Sequence, residues 1–167
     1  MSEIIFKRME TPEEMQGKAR VHYQAWQETY RGQIVDSYLD KMSYEQCLAI
    51  AHRWPDNIIV AKDGERVIGF TGYGPYRDES LPQTGEVFAI YVLAEYQKRG
   101  VGYRLMEAAM EMLKEYPTVV LWVLKGNQKA IPFYLRYGFR FDGCEKKILI
   151  GTHVIEQRMV YQGRTES

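Results

Sequence analysis

Residues 86–102 read Glu-Val-Phe-Ala-Ile-Tyr-Val-Leu-Ala-Glu-Tyr-Gln-Lys-Arg-Gly-Val-Gly, and the change of character along this stretch decides the fold. Glu86 to Leu93 is almost uninterruptedly apolar, the composition of a strand covered on both faces at the centre of a sheet. From Val101 onward Leu105, Ala108, Met112 and Tyr116 recur at three- and four-residue intervals. That spacing predicts a helix with one buried face, running to Tyr116 because Pro117 disfavours the helical conformation before it. Thr118 to Leu124 is a second continuous apolar strand, so the middle of the chain reads strand, helix, strand.

Working outward, residues 3–8 read as a first strand. Thr11-Pro12-Glu13-Glu14 then supplies an N-cap, a proline at the first helical position and a capping-box carboxylate for a helix running to Tyr30. Ser43 with Gln46 repeats the capping signature before a shorter helix that stops near Trp54, ahead of Pro55. Residues 57–62 and 65–74 are β-rich and joined by Asp63-Gly64, which predicts a hairpin. Residues 127–137 read as a helix closed by Gly138, and 139–149 and 153–161 as two final strands. The expectation is an α/β (α+β) domain spanning residues 1–167, with a mixed, mostly antiparallel central sheet flanked by helices on both faces.

Composition narrows the function. Lys and Arg total 22 and Asp and Glu total 22, so no excess positive charge gathers nucleic acid or holds the chain to an anionic membrane. No apolar run has the length of a signal peptide or a membrane span, which points to a cytoplasmic protein. Cys47 and Cys144 lie far apart without metal-ligand spacing, so neither a disulfide framework nor a metal site is expected. His22, His52 and His153 are isolated and receive no role.

The turn Gln97-Lys98-Arg99-Gly100-Val101-Gly102 lies where the apolar strand gives way to a helix start. Helix starts leave backbone N–H groups unpaired, and glycine lets a phosphate approach them. Two glycines before a helix serve equally as a tight structural connection, and the turn alone leaves both readings open. Other phosphate motifs do not fit: there is no GK[ST], and Leu105 stands where a dinucleotide fingerprint needs glycine.

Gln97-x-x-Gly100-x-Gly102 resembles the pyrophosphate signature Q/R-x-x-G-x-G/A of the GNAT (GCN5-related N-acetyltransferase) family. Asn127-x-x-Ala130-x-x-Phe133-Tyr134-x-x-x-Gly138-Phe139 is similar to that family's second recurring pattern, one helix and one strand downstream. One departure is Ala94, where many relatives have proline. The resemblance implies an acyl-CoA N-acyltransferase fold, acetyl-CoA as cosubstrate with no metal, and transfer of its acetyl group to a primary amine of a small molecule or peptide. It implies a cofactor site from the backbone of Ile90 and Val92, the turn Gln97, Lys98, Arg99, Gly100, Val101, Gly102 and Tyr103, and the side chains of Asn127 and Tyr134.

By the same resemblance Tyr134 donates a proton to the departing thiolate, its alternative being a packed helix tyrosine, and Asn127 either binds the pantetheine arm or caps its helix. Glu86 is the candidate general base, against a solvated carboxylate at a strand end. Trp26 and Tyr30, four residues apart, either line the acceptor site or bury as an aromatic pair. Tyr73, with Tyr76 and the loop Arg77 to Gln83, is the candidate opposite wall. The alternative to an enzyme is a non-catalytic acyl-CoA-binding module. Ile148-Leu149-Ile150 and Val154-Ile155 either pair across a homodimer or complete the monomer's sheet.

Overall fold

Two capping boxes start helices where the sequence announces them. In the computed structural model, which describes residues 3–161, Thr11 Oγ1 accepts from the Glu14 backbone N–H at 3.1 Å, and the Glu14 carboxylate accepts from the Thr11 N–H at 3.1 Å. This opens α1 (Pro12–Tyr30) after strand β1 (Ile4–Arg8). The same exchange between Ser43 and Gln46 opens α3 (Tyr44–Arg53). Between them lies a short helix, α2 (Asp36–Lys41), that the sequence reading missed; its N-cap is Val35, which has no side-chain acceptor to advertise a helix start.

The strands are β2 (Ile58–Asp63), β3 (Arg66–Pro75), β4 (Thr84–Val92), β5 (Thr118–Leu124), β6 (Phe139–Ile150) and β7 (Thr152–Tyr161). They form one seven-stranded sheet in the order β1-β2-β3-β4-β5-β7-β6. Only β4 and β5 run parallel; the other neighbours are antiparallel. The intervening helix is α4 (Val101–Met112), one turn shorter than periodicity suggests, because the Leu113 N–H already closes onto the Ala109 and Met110 carbonyls. Tyr116 still packs on the core from the loop that follows. The helix expected over 127–137 begins in regular form at Ala130, giving α5 (Ala130–Tyr137).

Helices cover both faces. Phe70 of β3 turns toward α1, with Lys18 Nζ 4.8 Å from its ring centroid, while a Cβ on the preceding Gly69 would lie 3.3 Å from Leu105 of α4. Adjacent strand residues point to opposite faces, so α1 and α4 pack on opposite sides. Leu105, Met106 and Ala109 of α4 are fully buried with Val60, Ile68 and Phe139, each larger side chain contributing about 1.5–3 kcal/mol of hydrophobic stabilisation. A second cluster, Ile34, Leu39 and Leu124 with Trp26, Tyr30, Ile150 and Val154, fastens the segment after α1 onto the β6–β7 turn.

One expectation is revised and one pair of alternatives is narrowed. β4 occupies the middle of the sheet, yet its second half is not covered on both faces: Phe88 is 55% exposed and residues 89–92 are half-buried. The C-terminal strands complete the sheet, with β7 between β5 and β6, and among the described residues the outer edge of β6 has no partner strand. Among the described residues no helix is long and apolar enough to cross a membrane.

Candidate active site

The exposure of β4 follows from its register. Tyr73 pairs with Val87 but Gly72 pairs with Ala89, so Phe88 is an extra residue in the ladder. Such a bulge bends and twists the strand that carries it. On its other edge β4 meets β5 only at Thr84–Thr118, Gly85–Val119 and Glu86–Val120; beyond these pairs the edge of β5 that faces β4 has no ladder partner among the described residues, while its far edge runs on with β7. The two strands therefore part, and the cleft between them has a volume of about 1020 Å³. Its walls include Phe88 to Val92, Gln97, Gly102, Asn127 and Tyr134.

One end of the cleft is the start of α4. Its N-cap is Gly100, in the left-handed conformation at φ +80°, and no side chain caps the helix, unlike the starts of α1 and α3. The first-turn N–H groups thus keep no side-chain acceptor and carry the positive end of the helix dipole. A Cβ at Gly100 would have no neighbour within 4 Å, and one at Gly102 would meet only the Phe133 ring, at 3.6 Å. The absence of side chains there leaves a cradle that suits a phosphate. Gln97 ties the turn to β4, its Nε2 donating to the Val92 carbonyl at 3.0 Å.

Lys98, itself at φ +65°, and Tyr103 also line the cleft. Two predicted neighbours do not face it. The Arg99 guanidinium stacks 4.9 Å over the Tyr96 ring, and the Val101 side chain is buried in the core, so Val101 offers its backbone alone.

On the opposite wall Asn127 is buried, and its Oδ1 accepts from the Ala130 N–H at 3.2 Å. The capping reading of this residue is thereby realised, and it also lines the cleft. Tyr134 packs by its edge against Phe133 and Phe139, and burial with the nearby Tyr30 holds its hydroxyl well above the ordinary phenol range. Its proton is therefore retained at neutral pH. Tyr134 is packed, as one of its readings has it, and it also lines the cleft.

Trp26 and Tyr30 form the aromatic pair that was one of their two readings, and they line the cleft as well. Their rings meet edge-on at 4.8 Å, both pack on the second cluster, and both line the cleft. The Tyr30 hydroxyl lies 3.0 Å from that of Tyr91 on β4. Tyr73 is different: it is 4% exposed, sits in the main core and does not reach the cleft, because both faces of β3 are covered at that point. Glu86 is no solvated strand-end group either. It is the third residue of β4, half-buried and outside the cleft lining. Burial, outweighing the attraction of Lys146 and reinforced by Glu156, raises its pKa to about 7.

Several lining residues escaped sequence reasoning: Tyr91, Phe88, Trp122, Phe133 and Glu156. A tyrosine amid the apolar run 86–93 was the one available signal for Tyr91. Glu156 reaches the cleft only because it pairs with Leu124, 32 residues earlier in the chain, and no local pattern carries that pairing.

Comparison with known proteins gives a consistent result. The model of the acetyltransferase (GNAT) family matches residues 20–139. The chain is 32% identical over 132 residues to the uncharacterized N-acetyltransferase YuaI of Bacillus subtilis, covering 75% of this chain and 74% of that one. It is 31% identical over 134 residues to a probable N-acetyltransferase of Mycobacterium tuberculosis, with the same coverage of each chain. The structure resembles the PaiA N-acetyltransferase of Thermoplasma acidophilum, solved in complex with coenzyme A, with a TM-score of 0.69 and 21% identity over 96% of this chain and 99% of that one.

Proposed function

The chain belongs to the acetyltransferase (GNAT) family, and from that premise we propose that it is a single-domain enzyme that transfers the acetyl group of acetyl-CoA to a primary amine of a small molecule or peptide. Both substrates occupy the cleft together and the amine attacks directly. The observation that carries this reading is the parting of β4 from β5 after Glu86–Val120, with the uncapped start of α4 at one end of the gap. Acetyl-CoA, when bound, supplies the activated thioester.

The chain's own residues then divide the work. The N–H groups of residues 100–103 receive the pyrophosphate, and Lys98 adds charge at the rim. Ile90 and Val92 offer backbone groups on the edge that β5 leaves, which hold the pantetheine arm and orient the thioester carbonyl. Asn127 fixes the opposite wall. Tyr134, protonated at neutral pH, donates to the departing sulfur. Trp26 and Tyr30 close the acceptor side.

The test is calorimetric titration with acetyl-CoA of the wild type and of Gly102→Glu. A carboxylate at this helix start favours the helix dipole, and its Cβ meets only Phe133 at an ordinary contact distance, so the variant folds. Binding by the wild type and at least tenfold weaker binding by the variant are expected. No wild-type binding overturns the reading. Binding without turnover of any amine in a broad panel, and no difference between wild type and Tyr134→Phe, would identify a non-catalytic acyl-CoA-binding module instead.

A further inference from the structure

The face of the sheet that borders the cleft carries an uneven charge account. Trp122 and Leu124 of β5 stand opposite Arg158 and Glu156 of β7, and Glu156 stands opposite Lys146 of β6. Glu86, paired with Val120, belongs to the same face, since paired residues and those two apart in a strand share a side.

One of the cations there is engaged. Arg158 donates from Nε to Asp142 Oδ2 at 2.8 Å and lies 2.7 Å from it through a second nitrogen. Among the described residues of this face Lys146 alone remains for two carboxylates, and its ammonium sits 4.2 Å over the Trp122 ring, 3.8 Å from Glu156. That distance is longer than a hydrogen bond. Glu156 therefore keeps acceptor capacity, and the face keeps one surplus negative charge when both Glu86 and Glu156 are ionised.

The two carboxylates differ in access. Glu156 lines the cleft and Glu86 does not. Of the other cleft residues, Tyr30 feels the Glu156 charge and Trp122 shares Lys146 with it, and the same cleft is lined by Trp26 and Phe88; aromatic ring faces attract cations. The indole Nε1 of Trp122 is buried without a hydrogen-bond partner among the described residues.

We propose, resting on the acetyl-transfer reading above, that Glu156 rather than Glu86 is the carboxylate that meets the acceptor. It holds the incoming primary ammonium in the aromatic-walled part of the cleft and takes the proton that the nitrogen must lose before it can attack. The acceptor is accordingly an amine without a neighbouring carboxylate, because an α-carboxylate beside that nitrogen would be set against the Glu156 carboxylate itself.

The protons balance. The ammonium gives its first proton to Glu156, and the freed lone pair forms the C–N bond as the C–S bond breaks. The nitrogen's second proton goes to solvent as the amide forms, the thiolate takes a proton from Tyr134, and Glu156 and Tyr134 return to their starting states with one net proton released.

The test measures thiol release from acetyl-CoA with n-butylamine, with a C-terminally amidated tetrapeptide bearing a free N-terminal alanine, and with free alanine. At least one of the first two is consumed with kcat/KM tenfold or more above free alanine. Glu156→Gln lowers that kcat/KM at least tenfold and flattens the acidic limb of its pH profile, with acetyl-CoA affinity unchanged. Glu86→Gln changes kcat/KM less than threefold. Lys146→Met acts in the opposite sense to Glu156→Gln, lowering KM for the amine by removing a competing cation.

Preference for free alanine, no turnover of either carboxylate-free amine by protein that binds acetyl-CoA, or a loss carried by Glu86→Gln with Glu156→Gln unaffected would each overturn the assignment. Failure of the wild type to bind acetyl-CoA would instead overturn the underlying reading, and calorimetry separates the two.

Discussion

The hydroxyls of Tyr30 and Tyr91 stand 3.0 Å apart, joining the last residue of α1 to the strand edge that β5 abandons. This is a direct polar link between the proposed acceptor wall and the proposed acetyl-CoA wall. Both hydroxyls are buried, and burial raises both above the ordinary phenol range. Neither ionises near neutrality, so the link is an ordinary neutral hydrogen bond.

Removing one member leaves the other a buried group without its partner, at a cost of about 1–3 kcal/mol. Tyr91→Phe is expected to lower the melting temperature by about 2–8 °C and to raise KM for the amine while acetyl-CoA affinity stays within twofold. Calorimetry and steady-state kinetics check this. An unchanged melting temperature together with an unchanged KM would show that the pair carries no structural or functional weight.

Glu86 gives a pH signature. Its pKa is raised by burial, then modulated downward by Lys146 and upward by Glu156, to about 7. The folded state thus binds its proton more tightly than the unfolded chain, whose carboxylate titrates near 4.5. Its contribution to stability is present below about pH 4.5 and is lost as pH rises toward 7. Glu86→Gln removes the buried charge. The variant should melt with the wild type at pH 4 and a few degrees above it at pH 8; a gap that is constant with pH would contradict the assigned pKa.

Glu14 gives the opposite sign. Burial by itself would raise its pKa, but Lys7 at 2.8 Å, the Glu10 N–H at 2.7 Å, Lys62 at 3.0 Å and the Thr11 N–H outweigh it and hold the carboxyl at about 2. Its stabilisation is present above about pH 4.5 and is lost as pH falls toward 2. Glu14→Gln leaves two lysines facing a neutral amide and is expected to cost about 3 kcal/mol at pH 7. Denaturant unfolding at pH 7 and pH 3 should show the difference shrinking at the lower pH.

Gly151 closes the β6–β7 turn at φ +77°, and a Cβ there would collide with Val35 Cγ1. Gly151→Ala combines backbone strain with that collision, about 1–3 kcal/mol in all. Because Val35 caps α2 beneath the proposed acceptor wall, the variant should raise KM for the amine and leave acetyl-CoA binding intact. Acetyl-CoA binding that falls in parallel would mean that the two ends of the cleft are not independent.

The residues that could be read locally are those whose signals are local. Thr11 and Ser43 announced their helices because a cap and its partner lie within one turn, and Asp63-Gly64 announced its hairpin for the same reason. Val35 gave no such signal and α2 was missed. Gln97, Gly100 and Gly102 were legible because the backbone geometry of a glycine turn at a helix start is encoded in consecutive residues. Tyr73 was misplaced because the period-2 pattern of a strand does not say whether a face meets a cleft or a helix.

The sequence by itself therefore determined the order and type of every element but α2, the glycine turn at the head of α4, and the two motif segments that mark the family, since all of these are written in residues within a helical turn or two of each other. The tertiary structure decided where the cleft opens and what faces it. The bulge at Phe88, the parting of β4 from β5, the Tyr30–Tyr91 contact and the arrival of Glu156 opposite Leu124 all depend on register between strands distant in sequence. A one-residue change in that register would turn each of these side chains to the other face of the sheet.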